Sequence, residues 1–227
     1  MISRSTAFIV LLSAIGGPDL SAEPLAQVAL PDLCVTNGAI HAAPDGKLRI
    51  DTPSSRAVLR FQTDPVAEIR FRYLGPSAES KPLASGELRR QIGIKLRAAN
   101  TCNLVYAMWH IEPDSRVAVS VKRNPGMREH AQCHAGGYIN MKQSGAPSPP
   151  RIVAGQEHVL HAELHGSNLV VSADGVEAWR GDLGQFITQF DGPVGLRTDN
   201  ASFQFSYFAG PRTGASAVQN CAEGPGD

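Results

Sequence analysis

The chain has 227 residues, 42% of them hydrophobic, with 21 basic and 21 acidic side chains and no net formal charge. A nucleic-acid binder needs a strongly basic face, and adhesion to an anionic membrane needs a basic excess, so the balance argues against both partners. Without a leader, roughly 205 residues remain, the size of one domain with a self-sufficient core.

Arg4 precedes an apolar run at 7–15 (AFIVLLSAI), broken by Gly16, Gly17 and Pro18. The run has the length of a signal-peptide core and is too short to span a bilayer. Leu20-Ser21-Ala22 offers a small residue at the cut. We therefore expect a signal peptide over 1–22, cleaved after Ala22, and an exported protein, periplasmic or secreted. No Cys follows the cut to carry a lipid, and no later segment is apolar and long enough to cross a membrane, so no membrane insertion is expected. A β-domain is expected over 23–210. The remainder, 211–227, reads as a Gly/Pro-rich tail tied down by Cys221.

The four cysteines, Cys34, Cys102, Cys133 and Cys221, form no CxxC pair, which removes a zinc-knuckle or thioredoxin-like reading. An even count in an exported chain favours disulfides. Three pairings are possible; we expect Cys102–Cys133, closing a mid-domain loop, and Cys34–Cys221, tying the ends. Each would add about 2–4 kcal/mol by restricting the unfolded chain.

In chain order, 25–33 is a lead-in containing Pro31, and 39–50 a hairpin turning at Asp45-Gly46. Strands are expected at 56–61 and 66–73. The polar stretch 75–86 is long for a hairpin and is a candidate rim element. At 90–98, Ile92, Ile94 and Leu96 alternate with Gln91, Gly93, Lys95 and Arg97. Both faces of 103–111 (NLVYAMWHI) are largely apolar, which suggests a central strand covered on both sides or facing a groove. At 116–122, Val117, Val119 and Val121 point inward, and 138–141 offers a further short strand. Proline-rich 145–150 is a connector. Four more strands follow between 156 and 208, with one helical turn at 184–190 and no amphipathic helix. The fold class is an all-β, antiparallel sandwich of two sheets.

The closing run carries Glu157-His158-Val159-Leu160, Leu169-Val170-Val171 before Asp174-Gly175, then Gly192 to Asn200 (GPVGLRTDN) and Phe203-Gln204-Phe205. It resembles the last strands of concanavalin A-like, laminin G-like jelly-roll domains, and is similar to the corresponding domain of 3-keto-disaccharide hydrolases. The resemblance covers about a quarter of the chain and implies a jelly-roll fold. It implies little about activity, because that fold hosts lectins, lyases, hydrolases and structural modules. The middle of the chain looks like an exported bacterial subfamily of its own.

Catalytic signatures are thin. Laminarinase-type relatives carry Glu-x-Asp-x-x-Glu on one strand, and no such run exists here. Alginate-lyase-type relatives resemble Arg-x-Glu-Leu-Arg and Gln-Ile-His. Here Glu87-Leu88-Arg89 runs almost directly into Gln91-Ile92-Gly93, with Ser85 and Gly93 in place of the Arg and the His. Tyr106 or His110 would have to be the base. No G-x-S-x-G elbow occurs. His161 and His165 share a strand face but stand about 13 Å apart by strand rise, too far for one ion. His130 and His134 flank Cys133, which cannot ligate once it is in a disulfide. Asp191, Asp199 and Asn200 have calcium-type oxygens but read as turn residues. No cofactor is expected, calcium being the one candidate.

What remains is the face opposite the core. Gln91, Lys95, Arg97, Tyr106, His110, Ser120 and Lys122 share an alternation phase. They mix amide, cation, hydroxyl and aromatic plane, as sugar sites do. The expected function is a non-catalytic module binding carbohydrate or envelope glycan there. The alternatives are an enzyme on a glycan or uronate polymer, and a structural module without a small ligand. A buried titratable group with a shifted pKa amid convergent polar groups would favour the enzyme.

Overall fold

A computed structural model describes residues 24–142 and 148–214. The expected leader (1–22), most of the tail and Cys221 lie outside the described residues, as does part of the 145–150 connector. The strands, in chain order, are β1 (Ala26–Gln27), β2 (Leu33–Asn37), β3 (His41–Ala42), β4 (Leu48–Leu59), β5 (Val66–Pro76), β6 (Arg90–Asn100) and β7 (Asn103–Glu112). Then come β8 (Arg116–Lys122), β9 (Tyr138–Asn140), β10 (Glu157–His165), β11 (Asn168–Ala173), β12 (Val176–Asp182) and β13 (Gly195–Ala209). Between β8 and β9 lies one short helix, α1 (His130–Cys133). The expected turn after 184 is a 3-10 helix, Gln185–Gln189.

β13 is the strand that makes the sandwich. Its first part, Gly195 to Asp199, pairs with β6, and its second, Ala201 to Ala209, pairs with β5. β4 follows it along the other edge from Gly195 to Phe205, and β1 pairs with Phe208 and Ala209. One layer is thus β2-β4-β13-β6-β7-β8-β9, and the other is β3-β4-β13-β5-β10-β11-β12, every pairing antiparallel. The changeover sits at Asn200, whose φ of 53° is left-handed. Asn tolerates that region better than other L-residues with a Cβ, because its short amide bonds locally.

The expected hairpin at 39–50 is β3 paired with the start of β4, and β4 then runs unbroken through Pro53 into the expected strand at 56–61. Thr52 pairs with Ala201 and Ser54 with Asp199, so Pro53 stands opposite the corner at Asn200. The ladder has no step there, and a residue without an N–H costs nothing.

The core lies between the layers. Ile92, Ile94, Leu96, Val119, Leu160, Leu169 and Phe205 are all buried, as are Trp109 and Trp179. Phe71 of β5 meets Trp109 of β7 edge-on at 5.8 Å, and packs in the same way on Phe203 at 5.7 Å. His158 is structural. Its Nδ1 lies 2.8 Å from Asp174 Oδ2, and its Nε2 accepts the Val153 N–H at 3.0 Å. His161 and His165 pair with Glu68 and Glu163 on a partly solvated face. No group of three or more metal-ligating side chains occurs among the described residues.

Cys102 and Cys133 are bonded, with Cα atoms 5.9 Å apart. Cys34 is buried and is not a free thiol. Its expected partner, Cys221, lies outside the described residues. Among those residues no helix is long and apolar enough to cross a membrane.

Replacing Ile94 by Ala removes a fully buried side chain from the centre of this core and should cost about 2–5 kcal/mol of unfolding free energy. Urea denaturation measures it; an unchanged midpoint would contradict the packing described.

Candidate functional site

The outward face of β6 and β7 is largely buried too, and that of β8 partly so. Register places its residues in cross-strand rows. Ser54, Asp199, Gln91, His110 and Arg116 form one row; Arg56, Arg197, Gly93, Met108 and Ala118 form the next. Lys95, Tyr106, Ser120 and Asn140 form the third, and Leu104, Lys122 and Tyr138 the fourth. A Cβ on Gly93 would collide with the Met108 sulfur and the Ala107 carbonyl, so glycine is what lets Met108 lie across the floor.

Above these rows is a cleft of about 760 Å³. One wall is the loop between β5 and β6, which contributes Lys81 to Ser85 as the expected rim. Asn200 clamps it. The Asn200 Oδ1 accepts the Lys81 N–H at 2.7 Å, and its Nδ2 donates to the carbonyls of Lys81 and Arg89. The opposite wall, 123–137 with α1, is held by the Cys102–Cys133 bond and by hydrogen bonds from Thr101 and Asn103 to the carbonyls of Arg128 and Met127.

Asp199 is the hub of the floor. Its carboxylate takes Arg197 Nε at 2.8 Å and Gln91 Nε2 at 2.5 Å, and Arg56 Nη2 stands 3.8 Å away. Burial alone would raise its pKa; Arg197 and Arg56 outweigh burial and hold it below the usual carboxylate range. Arg197 lies over the Tyr106 ring at 5.3 Å, and Tyr106 stacks on Tyr138 with centroids 6.0 Å apart. Lys122 Nζ donates to the His134 carbonyl at 2.8 Å and sits over the Tyr138 ring. Burial, then Tyr138, pushes Tyr106 up to about 12. Burial, then Arg89 and Arg116, pushes His110 down to about 3.

Of the expected site residues, Gln91, Tyr106, His110, Ser120 and Lys122 line the cleft. Lys95 shares their face but is buried and is not among the lining residues. Arg97 is not brought there: its backbone is left-handed (φ 47°), which breaks the alternation, and its Nη1 donates to the Phe190 carbonyl. Arg56, Met108, Tyr138, Arg197 and Asp199 were not foreseen at the site. A signal existed for Arg197 and Asp199, which stand two apart on one strand and so face the same way. Asp199 and Asn200, considered for calcium, spend their oxygens on Arg197, Gln91 and the Lys81 N–H. A second hollow of about 420 Å³, lined by Leu25, Val66, Glu68, His161, Glu163 and Phe208 among others, has its acids and histidines paired with one another.

His110 gives a pH test. Unfolded, its imidazole titrates near 6.5; folded, it titrates at about 3. Between these values the unfolded chain binds the proton and the folded chain does not. The contribution is full above about pH 6.5 and is lost as pH falls toward about 3. His110→Gln should therefore flatten the acid side of the stability curve, read from urea midpoints at neutral and at mildly acidic pH. An unchanged slope would contradict the buried, neutral imidazole.

No family model matches the chain, and no curated protein matches it. Solved structures do. The carbohydrate binding module CBM66 from Bacillus subtilis superposes with a TM-score of 0.53 at 14% identity, over 77% of this chain and 91% of that one. The carbohydrate recognition domain of Emp46p superposes in a mutant form with a TM-score of 0.50 at 11% identity, over 80% of this chain and 88% of that one. Its metal-free form gives 0.50 at 10% identity, over the same shares. At such identities the likeness establishes fold alone: the chain has the jelly-roll sandwich fold of the concanavalin A-like type.

Proposed function

We propose that the protein is an exported module that binds a glycan in the cleft over β6–β9 without transforming it. The observation that carries this reading is the lining itself. A half-exposed aromatic plane, Tyr138, stands beside the amides of Gln91 and Asn140, the hydroxyl of Ser120 and the cations of Arg197 and Lys122. A pyranose has one apolar face and a rim of hydroxyls, and such a mixture meets both. The similarity to a carbohydrate binding module and a carbohydrate recognition domain is consistent with it. Export is consistent with the Cys102–Cys133 bond, since disulfides persist in oxidising compartments.

A second reading, an enzyme on a glycan or uronate polymer, is favoured by the shifted groups that converge in the cleft, His110 and Tyr106. Both shifts run the wrong way for proton transfer near neutrality. His110 stays neutral without a poised proton, and Tyr106 stays protonated. Among the described residues Asp199 is the one carboxylate in the lining, and it is locked by Arg197, so they offer no pair for the two-carboxylate chemistry of most glycosidases. Binding therefore leads.

A glycan array run beside a turnover screen on polyuronates tests both. Hits without turnover support binding; released or unsaturated oligosaccharides would put the enzyme ahead. Tyr138→Ala should weaken the best glycan hit by about 1–3 kcal/mol, as expected from uncovering a sugar's apolar face. Because Tyr138 is already 40% exposed, the fold should survive. Calorimetry with unchanged affinity in the folded variant would leave the structural-module reading ahead.

A further inference from the structure

We infer that the glycan is acidic, bearing a carboxylate or a sulfate, and that its anion seats beside Arg197 and Lys122. The inference rests on the reading of the cleft as a glycan site. The whole chain is balanced, 21 charges against 21. The cleft is not: Arg56, Lys81, Arg89, Lys122 and Arg197 line it against Asp199. Arg89 is paired with Glu87. Arg197 takes the Asp199 carboxylate through its Nε and Nη2 and donates from Nη1 to the Tyr138 hydroxyl, and Arg56 shares the same carboxylate. Setting Arg56 aside as balanced, exposed Lys81 and buried Lys122 are left over in the lining, and buried Lys95 stands on the same face.

Lys122 and Lys95 are 1% and 4% exposed. Neither has a carboxylate within ion-pair distance among the described residues. The contacts of Lys122 are a carbonyl and a ring, both uncharged. Lys95 stands on the same strand face, where Arg56, Arg197 and Lys122 act against it and Asp199 acts for it without forming an ion pair. Burial, then Arg56 and Arg197, holds it well below the usual ammonium range. A buried lysine without a paired carboxylate is costly, because burial drives its ammonium toward the neutral form, and apolar side chains of similar volume would pack there at less cost. Packing therefore does not explain them. An anion entering the cleft supplies the missing charge, and in a water-poor site the attraction exceeds its value in bulk water. Gln91 adds a second pointer: it is 2% exposed and lines the cleft, its Nε2 is held by Asp199, and its Oε1 has no partner among the described residues. That oxygen is an acceptor for a sugar hydroxyl next to the anion. A neutral glycan would use the tyrosines and amides but would leave the lysines uncompensated.

Calorimetry on the full chain decides it, with oligosaccharides matched in length: a neutral β-glucan, an oligouronate and a sulfated oligomer. At least one acidic oligomer should bind about tenfold tighter than the neutral one, and that margin should shrink as salt is raised to physiological strength and beyond. Which acidic oligomer binds separates carboxylate from sulfate. Lys122→Met should cut the preference by about three- to tenfold. If that variant does not fold, the salt series on the unaltered chain decides alone. Equal affinity for the neutral oligomer, or an acidic preference indifferent to salt, would overturn the acidic assignment and leave the glycan site standing. No binding of any of the oligomers would overturn both.

Discussion

The buried carboxylate of Asp199 is the interaction on which the cleft side of the sandwich depends. It belongs to β13 and holds Arg197 of the same strand, Gln91 of β6 and, at longer range, Arg56 of β4. Three adjacent strands are thus tied through one group that is 1% exposed. Removing one partner of such a buried pair typically costs about 3–5 kcal/mol, because the other charge stays buried alone. The next residue, Asn200, turns β13 from one layer to the other and clamps the wall of the cleft with its side chain. Floor and wall are set by two consecutive residues at one corner.

The opposite wall is positioned by different means. It has one short helix, so its place comes from the covalent tie to Cys102 and from side chains at the β6–β7 turn bonding its carbonyls. Lys122 reaches across to the His134 carbonyl and links wall to floor. Tyr138 projects from β9 at the end of that wall, stacked on Tyr106 beneath it. The cleft therefore opens between a wall fixed by an asparagine and a wall fixed by a disulfide.

The inward face was legible because burial there follows strand alternation. Ile92, Ile94 and Leu96 read as core and are core, and β7, apolar on both faces, is covered on both. The outward face was legible only in part. Thr198-Asp199-Asn200 has the composition of a turn, yet β13 continues unbroken round this corner, so an ion pair central to the site looked like punctuation. Arg97 failed because a single left-handed residue shifts the register between Leu96 and Asn100. Tyr138 sits on a three-residue strand, and nothing local announces that it will stack over Tyr106. Alternation carries which side a residue faces; it does not carry which loops will rise beside it.

The most direct measurement is to follow methyl resonances while an acidic oligosaccharide is titrated into the labelled protein. Met108 and Ala118 lie side by side in the cleft, with Leu83 and Ala84 in the wall above. The account predicts saturable shifts at these methyls, while Val66 beside the second hollow stays still. Shifts confined to Val66 and Leu25, or none in the cleft at saturating ligand, would contradict it.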